Sequence, residues 1–485
     1  MHPFSSSHKT EAVVLTFLLI FLGVNAFFNA TFGFSLPLYL GTVPLSALLA
    51  FFFPRAGFMA ALLVTLVFER FFTLQPLIIG DIAYKLYPLD VILVACFLSC
   101  VLLFLQKGRT FFRFRGIDTW LLFFFLFVSG LFALALFDTT VSLSVAFSTW
   151  KHYVFYGWIV WLVAGMLRTR ADLVAFLRLF FWGLGIVSIF LVIGIMRGEG
   201  LWTEFTPLST AGTRFLAFPH AFYFSLGLLI ILLALPLWWN QVKRRQSWLV
   251  LAGSVVLGLG VLGSLMRHLW LGISGTVAMA LLVSPFLFGK ALLRYSVRFI
   301  FPVVMFVTLS TLWVFLAPES QVAGLLGHGM AVVKERVFSI GNQNDESLAW
   351  RGAVWSSTLQ RFQEHPWFGI GFGVSVPVEM GGYRQYIEVR NMHNSWLALL
   401  IQTGVAGTVL FFGFLGSLFL ALFRLAHLDA FLSQVRFVLV GLLFFQGLVF
   451  FSQPYLETNL LGLFFWTTLG LARAMIEFSS QEKAA

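Results

Sequence analysis

The stretch from Val101 to Phe137, VLLFLQKGRTFFRFRGIDTWLLFFFLFVSGLFALALF, decides the fold class. One apolar run ends in a knot of cations, Lys107, Arg109, Arg113 and Arg115, and a second follows in which Asp118 is the only charge. About 20 apolar residues in a helix cross the hydrocarbon of a bilayer, and lysines and arginines between two such runs stay on the cytoplasmic side during insertion. The same alternation fills the chain. Of its 485 residues, 60% are hydrophobic and 11% charged, whereas a soluble globular chain carries about 25% charged residues. A water-soluble fold is excluded. The formal net charge of +11 is what cytoplasmic loops held against anionic headgroups produce, so the partners it implies are membrane lipids and no nucleic acid. Cys96 and Cys100 are the only cysteines, and in one apolar run they share a helix face, so neither a disulfide framework nor a zinc site follows.

Apolar stretches lie near 11–30, 36–53, 57–79, 88–106, 117–137, 147–167, 173–195, 219–239, 247–264, 269–288, 299–317, 394–423, 434–452 and 459–475. The reading is an all-α polytopic membrane protein with about 12–14 transmembrane helices and one large extramembrane loop. If the spans alternate, the Lys107–Arg115 cluster falls on one side with Arg168, Arg170 and Arg178, with Lys243, Arg244 and Arg245, and with Lys290, Arg294 and Arg298. Lys9, Arg55, Arg424, Arg436, Arg473 and Lys483 join them, which puts both termini in the cytoplasm. The first span continues into others without a small-residue cleavage site and is read as a retained helix. Three regions result: an N-terminal membrane domain over 1–317 with about 11 helices, an outer-face loop over 318–392, and C-terminal membrane helices with a cytoplasmic tail over 393–485. No internal repeat of the inverted-transporter kind is apparent.

The outer loop carries Trp350, Trp355, Trp367, Tyr383 and Tyr386, material to fold or to lie on a membrane. Leu348, Trp355, Leu359 and Phe362 recur at helical spacing between Asn344-Asp345-Glu346 and Pro366, which predicts an amphipathic helix. The run Gly369-Ile370-Gly371-Phe372-Gly373 offers conformations that need little side-chain bulk, and without a βαβ context it is no dinucleotide fingerprint. Beyond it, Asn394 to Phe423 would be about 45 Å long as a straight helix against a hydrocarbon core of about 30 Å. Gly404 and Gly407 are the natural interruption, leaving a short helical piece with His393 and Asn394 at its start.

Charges near membrane depth mark sites or pathways, and four groups fall at the outer face: Arg214, Arg267, Lys151 and His393. For each arginine two readings stand, a snorkelling side chain or an anion clamp whose planar fork suits phosphate oxygens. Lys151, beside Trp150, His152 and Tyr153, is an interfacial anchor or a site residue. His393 is an interfacial histidine or a general base, since imidazole is the side chain best matched to proton transfer near neutral pH. Glu69 and Arg70 read as a local pair or an interfacial anchor. HExxH, GxSxG and Walker A motifs are missing, as is a tight Asp-x-Asp pair. An outer-face reaction is therefore expected to use no metal and no cofactor, and a preactivated lipid-linked donor.

Trp350-Arg351, Phe362, His365-Pro366-Trp367-Phe368-Gly369-Ile370-Gly371-Phe372-Gly373, His393-Asn394-Ser395-Trp396-Leu397 and Gly404-Val405-Ala406-Gly407 together resemble the O-antigen ligase and polymerase superfamily. These are bacterial inner-membrane glycan transferases. The resemblance implies a lipid-sugar glycosyltransferase (GT-C-like) fold with its large loop and active site facing the periplasm. It implies a polyprenyl (undecaprenyl) diphosphate-linked glycan as donor and a glycan or lipid A core as acceptor. His393 matches the family's essential histidine, the general base. Arg214 and Arg267 look like its two diphosphate-binding arginines, with Arg351 a further contact and Lys151 and Asn394 substrate-side residues. The chain departs at Leu265 and Met266, where relatives often place serine directly before the arginine, and at His268, where a small residue is common. Protein serine or threonine is a further acceptor class. The competing class is a lipid-glycan flippase or transporter, which would place charges deep within spans rather than at one face.

Overall fold

The computed structural model describes residues 8–108, 112–197, 216, 218–238, 244–288, 346–380, 383–425 and 428–482. Arg214 and the apolar stretch 299–317 lie outside them. Helices run α1 His8–Phe32, α2 Leu36–Phe52, α3 Pro54–Phe68, α4 Arg70–Thr73, α5 Pro88–Lys107, α6 Gly116–Ala135, α7 Leu143–Trp150 and α8 Ile159–Met166. They continue with α9 Arg170–Arg197, α10 Phe218–Trp238, α11 Arg244–Gly263, α12 Arg267–Phe288, α13 Glu346–Phe362, α14 Ser395–Phe423, α15 Ala430–Val449 and α16 Asn459–Glu482. Seven of the described helices are long and apolar enough to cross a membrane, and five shorter apolar ones accompany them. Large side chains such as Leu105, Leu134 and Trp182 are exposed, as a lipid-facing surface requires. The chain is an all-α polytopic membrane protein.

Two compact units make up the chain. The first comprises 1–187, 354–432 and 450–485, the second 188–353 and 433–449. In the second unit, α10 and α11 approach closely where Gly260 lies against the ring of Phe224, and Phe222 stacks on Phe445 with centroids 5.9 Å apart. In the first unit the buried aromatics Phe124, Phe411 and Trp466 form a chain with centroid separations of 5.1 and 5.9 Å.

The first unit also contains the most deeply buried ion pair among the described residues. Arg473 Nη2 donates to Asp118 Oδ2 at 2.9 Å, and the two side chains are 1% and 0% exposed. Asp118 further accepts from Trp161 Nε1 at 3.0 Å and from the Arg115 backbone N–H at 2.8 Å. The Arg473 guanidinium reaches the Arg113 carbonyl at 2.7 Å. Buried charges persist where pairing and hydrogen bonding are this complete.

Two of the apolar stretches are not single helices. The one read as 57–79 ends as a helix at Phe68, Glu69 takes φ 48°, and a hairpin pairs Leu77–Ile79 (β1) with Ile82–Tyr84 (β2). Pro76 cannot continue a helix, and Gly80, at φ 58°, supplies the tight turn. The one read as 147–167 changes register, with α7 passing into a π-turn, Lys151–Phe155, then a 3₁₀ turn, Tyr156–Trp158, before α8.

The expected amphipathic helix is present as α13, and the expected break in the long segment falls at Gly404. There φ is 69° and ψ −174° inside α14, a conformation open essentially to glycine alone. The break frees backbone groups on both sides, and the Pro366–Gly371 turn pairs with them. Ile370 N–H donates to the Ile401 carbonyl at 2.9 Å and Gly371 N–H to that of Gln402 at 3.2 Å. In return, Val405 N–H donates to the Pro366 carbonyl at 2.9 Å and Ala406 N–H to that of Trp367 at 3.1 Å. Gly369, at φ 74°, lies so close that an added Cβ would stand 2.6 Å from the Ile401 carbonyl oxygen. Ser375–Met380 (β3) and Tyr383–Glu388 (β4) then form a second hairpin, which leads through the 3₁₀ turn Val389–Asn391 to His393.

A Cβ at Gly404 would overlap the Trp367 carbonyl, whereas one at Gly416 in the same helix meets nothing within 4 Å. Gly404→Ala is expected to destabilise by about 1–3 kcal/mol from backbone strain alone, and Gly416→Ala to be neutral or slightly stabilising. Thermal unfolding of the purified variants, followed by tryptophan fluorescence, compares the two.

Candidate functional site

His393 sits at the junction of the hairpin and α14. Its φ is 58°, one of three positive values at non-glycine positions among the described residues. Held conformations of this kind gather at functional sites because the surroundings must over-determine them, and here they do. On one side the Met392 carbonyl accepts from Trp355 Nε1 of α13 at 2.9 Å. On the other, Asn394 is the N-cap of α14, its side-chain oxygen accepting from Leu397 N–H at 3.0 Å. The imidazole Nδ1 lies 2.7 Å from Gln453 Oε1.

Ser395 ties this corner to the segment between α15 and α16. Its N–H donates to the Phe450 carbonyl at 2.9 Å, and its hydroxyl donates to Glu457 Oε2 at 2.6 Å while accepting from Leu456 N–H at 3.1 Å. Glu457 Oε1 accepts from the Tyr153 hydroxyl at 3.1 Å, and the same phenol lies 3.2 Å from Gln402 Oε1. Tyr153 is on the π-turn, where the extra residue aims Lys151, His152 and Tyr153 at different neighbours. His152 Nε2 meets Asn459 Oδ1 at 2.7 Å, and Asn459 Nδ2 donates to the Thr73 carbonyl at 3.1 Å.

Glu457 is buried, and burial pushes its carboxyl up to about 7 against the opposing pull of Ser395, Tyr153 and Arg390. Protonation also suits the hydrogen bonding. A protonated Oε1 donates to the Tyr153 oxygen, and the phenol proton then turns to Gln402, so every group in the chain has a partner.

Of the six residues singled out from the sequence, Arg214 lies outside the described residues and the other five are distributed as follows. His393, Asn394 and Lys151 belong to the first unit, Arg267 and Arg351 to the second. Lys151 Nζ donates to Asp90 Oδ2 at 2.8 Å and lies 4.8 Å from the Tyr87 ring centroid, while the Tyr156 hydroxyl donates to Asp90 Oδ1 at 2.9 Å. Its charge is thus matched by a carboxylate that the sequence reading did not assign to it. Arg267 is the first residue of α12, after a tight turn in which Leu265 takes φ 56° and Trp270 Nε1 donates to the Val261 carbonyl at 3.1 Å. Arg351 lies on α13. Among the described residues no three His, Cys, Asp or Glu side chains converge as a metal-binding group.

Residues 223–412 match the family described as O-antigen ligase. The matched stretch is similar to that family over 190 of the 485 residues. It spans Arg267, Arg351, His393 and Asn394, and stops short of Lys151 and Arg214 on one side and of Gln453 and Glu457 on the other. No curated protein matches the chain. The segment supports glycan transfer of the O-antigen ligase or polymerase type by a multi-pass membrane protein, with a lipid-linked glycan donor and a glycan acceptor.

Sequence reading missed Gln453, Glu457 and Tyr153 as supports of the histidine. A signal was present in Ser452-Gln453-Pro454-Tyr455-Leu456-Glu457-Thr458-Asn459, a polar knot between two apolar spans with no basic residue to explain it.

Glu457 carries a pH prediction. Its folded pKa of about 7 lies above the ordinary value of 4.5, so the folded chain binds this proton more tightly than the unfolded chain. The associated loss of stability is absent below about pH 4.5, grows between 4.5 and 7, and is complete above 7, where it reaches about 3 kcal/mol. Glu457→Gln is expected to raise the denaturation midpoint at pH 8 and to match wild type near pH 4.5, as read by denaturant titration at both pH values.

Proposed function

We propose that the chain transfers a glycan from a polyprenyl diphosphate carrier to an acceptor hydroxyl at the periplasmic face of a bacterial inner membrane, both termini being cytoplasmic. His393 is the general base. The observation that carries the reading is its ring, fixed through Nδ1 at the start of a capped helix within the O-antigen ligase segment. The amide oxygen facing Nδ1 is satisfied when that nitrogen bears the proton, which leaves the lone pair on Nε2.

The chemistry is a single displacement. The acceptor oxygen attacks the anomeric carbon, its proton passes to His393 Nε2, and the bond from the anomeric carbon to the diphosphate oxygen breaks with its electron pair going to the diphosphate. The anomeric configuration inverts. Arg214 and Arg267 bind the diphosphate and stabilise the charge that grows on it, because a guanidinium stays ionised and offers paired donors to phosphate oxygens. Arg351 and Asn394 add substrate contacts. Lys151, paired with Asp90, is a further substrate-side residue.

Transfer by the purified protein in detergent with chelator, offered a polyprenyl-diphosphate glycan and lipid A core, glycan or hydroxyl-peptide acceptors, tests this reading. Wild type is expected to form product with one acceptor class. His393→Ala is expected to lose about 10²–10⁴-fold in kcat, and Arg267→Ala about 10²–10³-fold. Equal product from all three proteins would remove the site assignment, and no product from folded wild type with any acceptor would favour lipid-glycan transport.

A further inference from the structure

We infer that Gln453 is a positioning residue for His393: its side-chain oxygen holds the imidazole in the tautomer with the proton on Nδ1 and so presents Nε2 to the acceptor hydroxyl. This rests on His393 acting as the base. Gln453 lies outside the matched O-antigen ligase segment.

An amide oxygen has only lone pairs, and at 2.7 Å from Nδ1 it is paired only if that nitrogen donates. The choice of tautomer therefore passes from the ring to its partner. A partner can impose that choice only if it is itself held in place, and the backbone of Gln453 is. Its carbonyl accepts from Tyr455 N–H at 3.0 Å and lies 3.2 Å from the Ser395 hydroxyl oxygen, whose proton goes to Glu457. Pro454 follows it and restricts its backbone to extended conformations. The buried ring of Tyr455 stacks on Phe450 with centroids 5.2 Å apart, and the Phe450 carbonyl in turn accepts from Ser395 N–H. The segment carrying Gln453 and the first turn of α14 thus form one hydrogen-bonded corner, with the ring of His393 held across it.

The identity of the partner matters as well. A carboxylate against Nδ1 would orient the ring and also stabilise the imidazolium as an anion does. Here the partner at Nδ1 is an amide, and the buried carboxylate of Glu457 accepts from Ser395. During transfer the acceptor hydroxyl gives its proton to Nε2, Nδ1–H remains on Gln453 throughout, and the proton on Nε2 leaves to solvent after the glycan has moved. The amide contributes orientation and tautomer, and no proton passes through it.

The test uses the full chain with Gln453→Met, which keeps length and removes the acceptor, Gln453→Glu, which keeps an acceptor oxygen, and His393→Ala as reference. The donor is a polyprenyl-diphosphate glycan with the acceptor that wild type uses. Gln453→Met is expected to lower kcat about ten- to hundredfold, the loss of one hydrogen bond to a ring that becomes charged, with KM for the donor changed less than about twofold. Gln453→Glu is expected to restore most of kcat. Nitrogen-15 spectra of histidine-labelled protein, with His393→Gln identifying the signals, are expected to show a protonated Nδ1 and a bare Nε2 in wild type and a mixed population in Gln453→Met. Wild-type kcat in folded Gln453→Met, with His393→Ala inactive, would overturn the role of Gln453 alone. An unchanged tautomer in Gln453→Met would overturn it too, even if that variant were slow. Full turnover by His393→Ala would remove the base assignment on which the role depends, an outcome visible without any Gln453 variant.

Discussion

The break at Gly404 is the constraint on which the site depends. A bilayer offers no water to unpaired N–H and C=O groups, so irregular backbone at membrane depth survives only where protein satisfies it. The Pro366–Gly371 turn does so from both sides, giving N–H groups to Ile401 and Gln402 and carbonyls to Val405 and Ala406. That clamp ends one helical piece at Thr403 and starts another, and it fixes where the first piece begins. His393, Asn394 and Ser395 stand at that beginning. Three glycines of the following run, Gly369, Gly371 and Gly373, all have positive φ, which lets the turn lie against helix backbone where a side chain would intrude. The third of them accepts from Ser142 N–H at 3.0 Å, so the same run also reaches the start of α7.

Much of this was legible because it is local. A segment too long for the hydrocarbon core must bend or break, and glycine is where it breaks, so Gly404 is readable from length alone. Helical spacing of Leu348, Trp355, Leu359 and Phe362 sufficed for α13 because no long-range partner is needed to set a period. The clamp itself was half legible, since each glycine run stood out and nothing in the sequence said that they meet. The stretch 57–79 misled because Leu77, Ile78 and Ile79 are as apolar in a strand as in a helix. Pro76 and Gly80 were the better guide there.

The supports of His393 were not legible for a different reason. Gln453 and Glu457 lie about 60 residues beyond it in the chain, and Tyr153 lies far before it. Each is an ordinary polar residue whose meaning comes only from the partner that folding brings to it. Lys151 shows the same limit from the other direction. Its place in the sequence marked a cation near membrane depth, but the Asp90 that neutralises it opens another helix. Hydropathy identifies which charges are expensive to bury, and it does not say which are already paired.

Four polar arrangements of the first unit differ in the kind of partner each group faces. Arg473 with Asp118 and Lys151 with Asp90 are cation and anion in direct contact. Glu457 has hydroxyls rather than a cation against its oxygens, and burial favours its neutral form. His393 has an amide. A neutral amide sets the ring's direction, and the proposed general base would keep that direction while it takes up a proton.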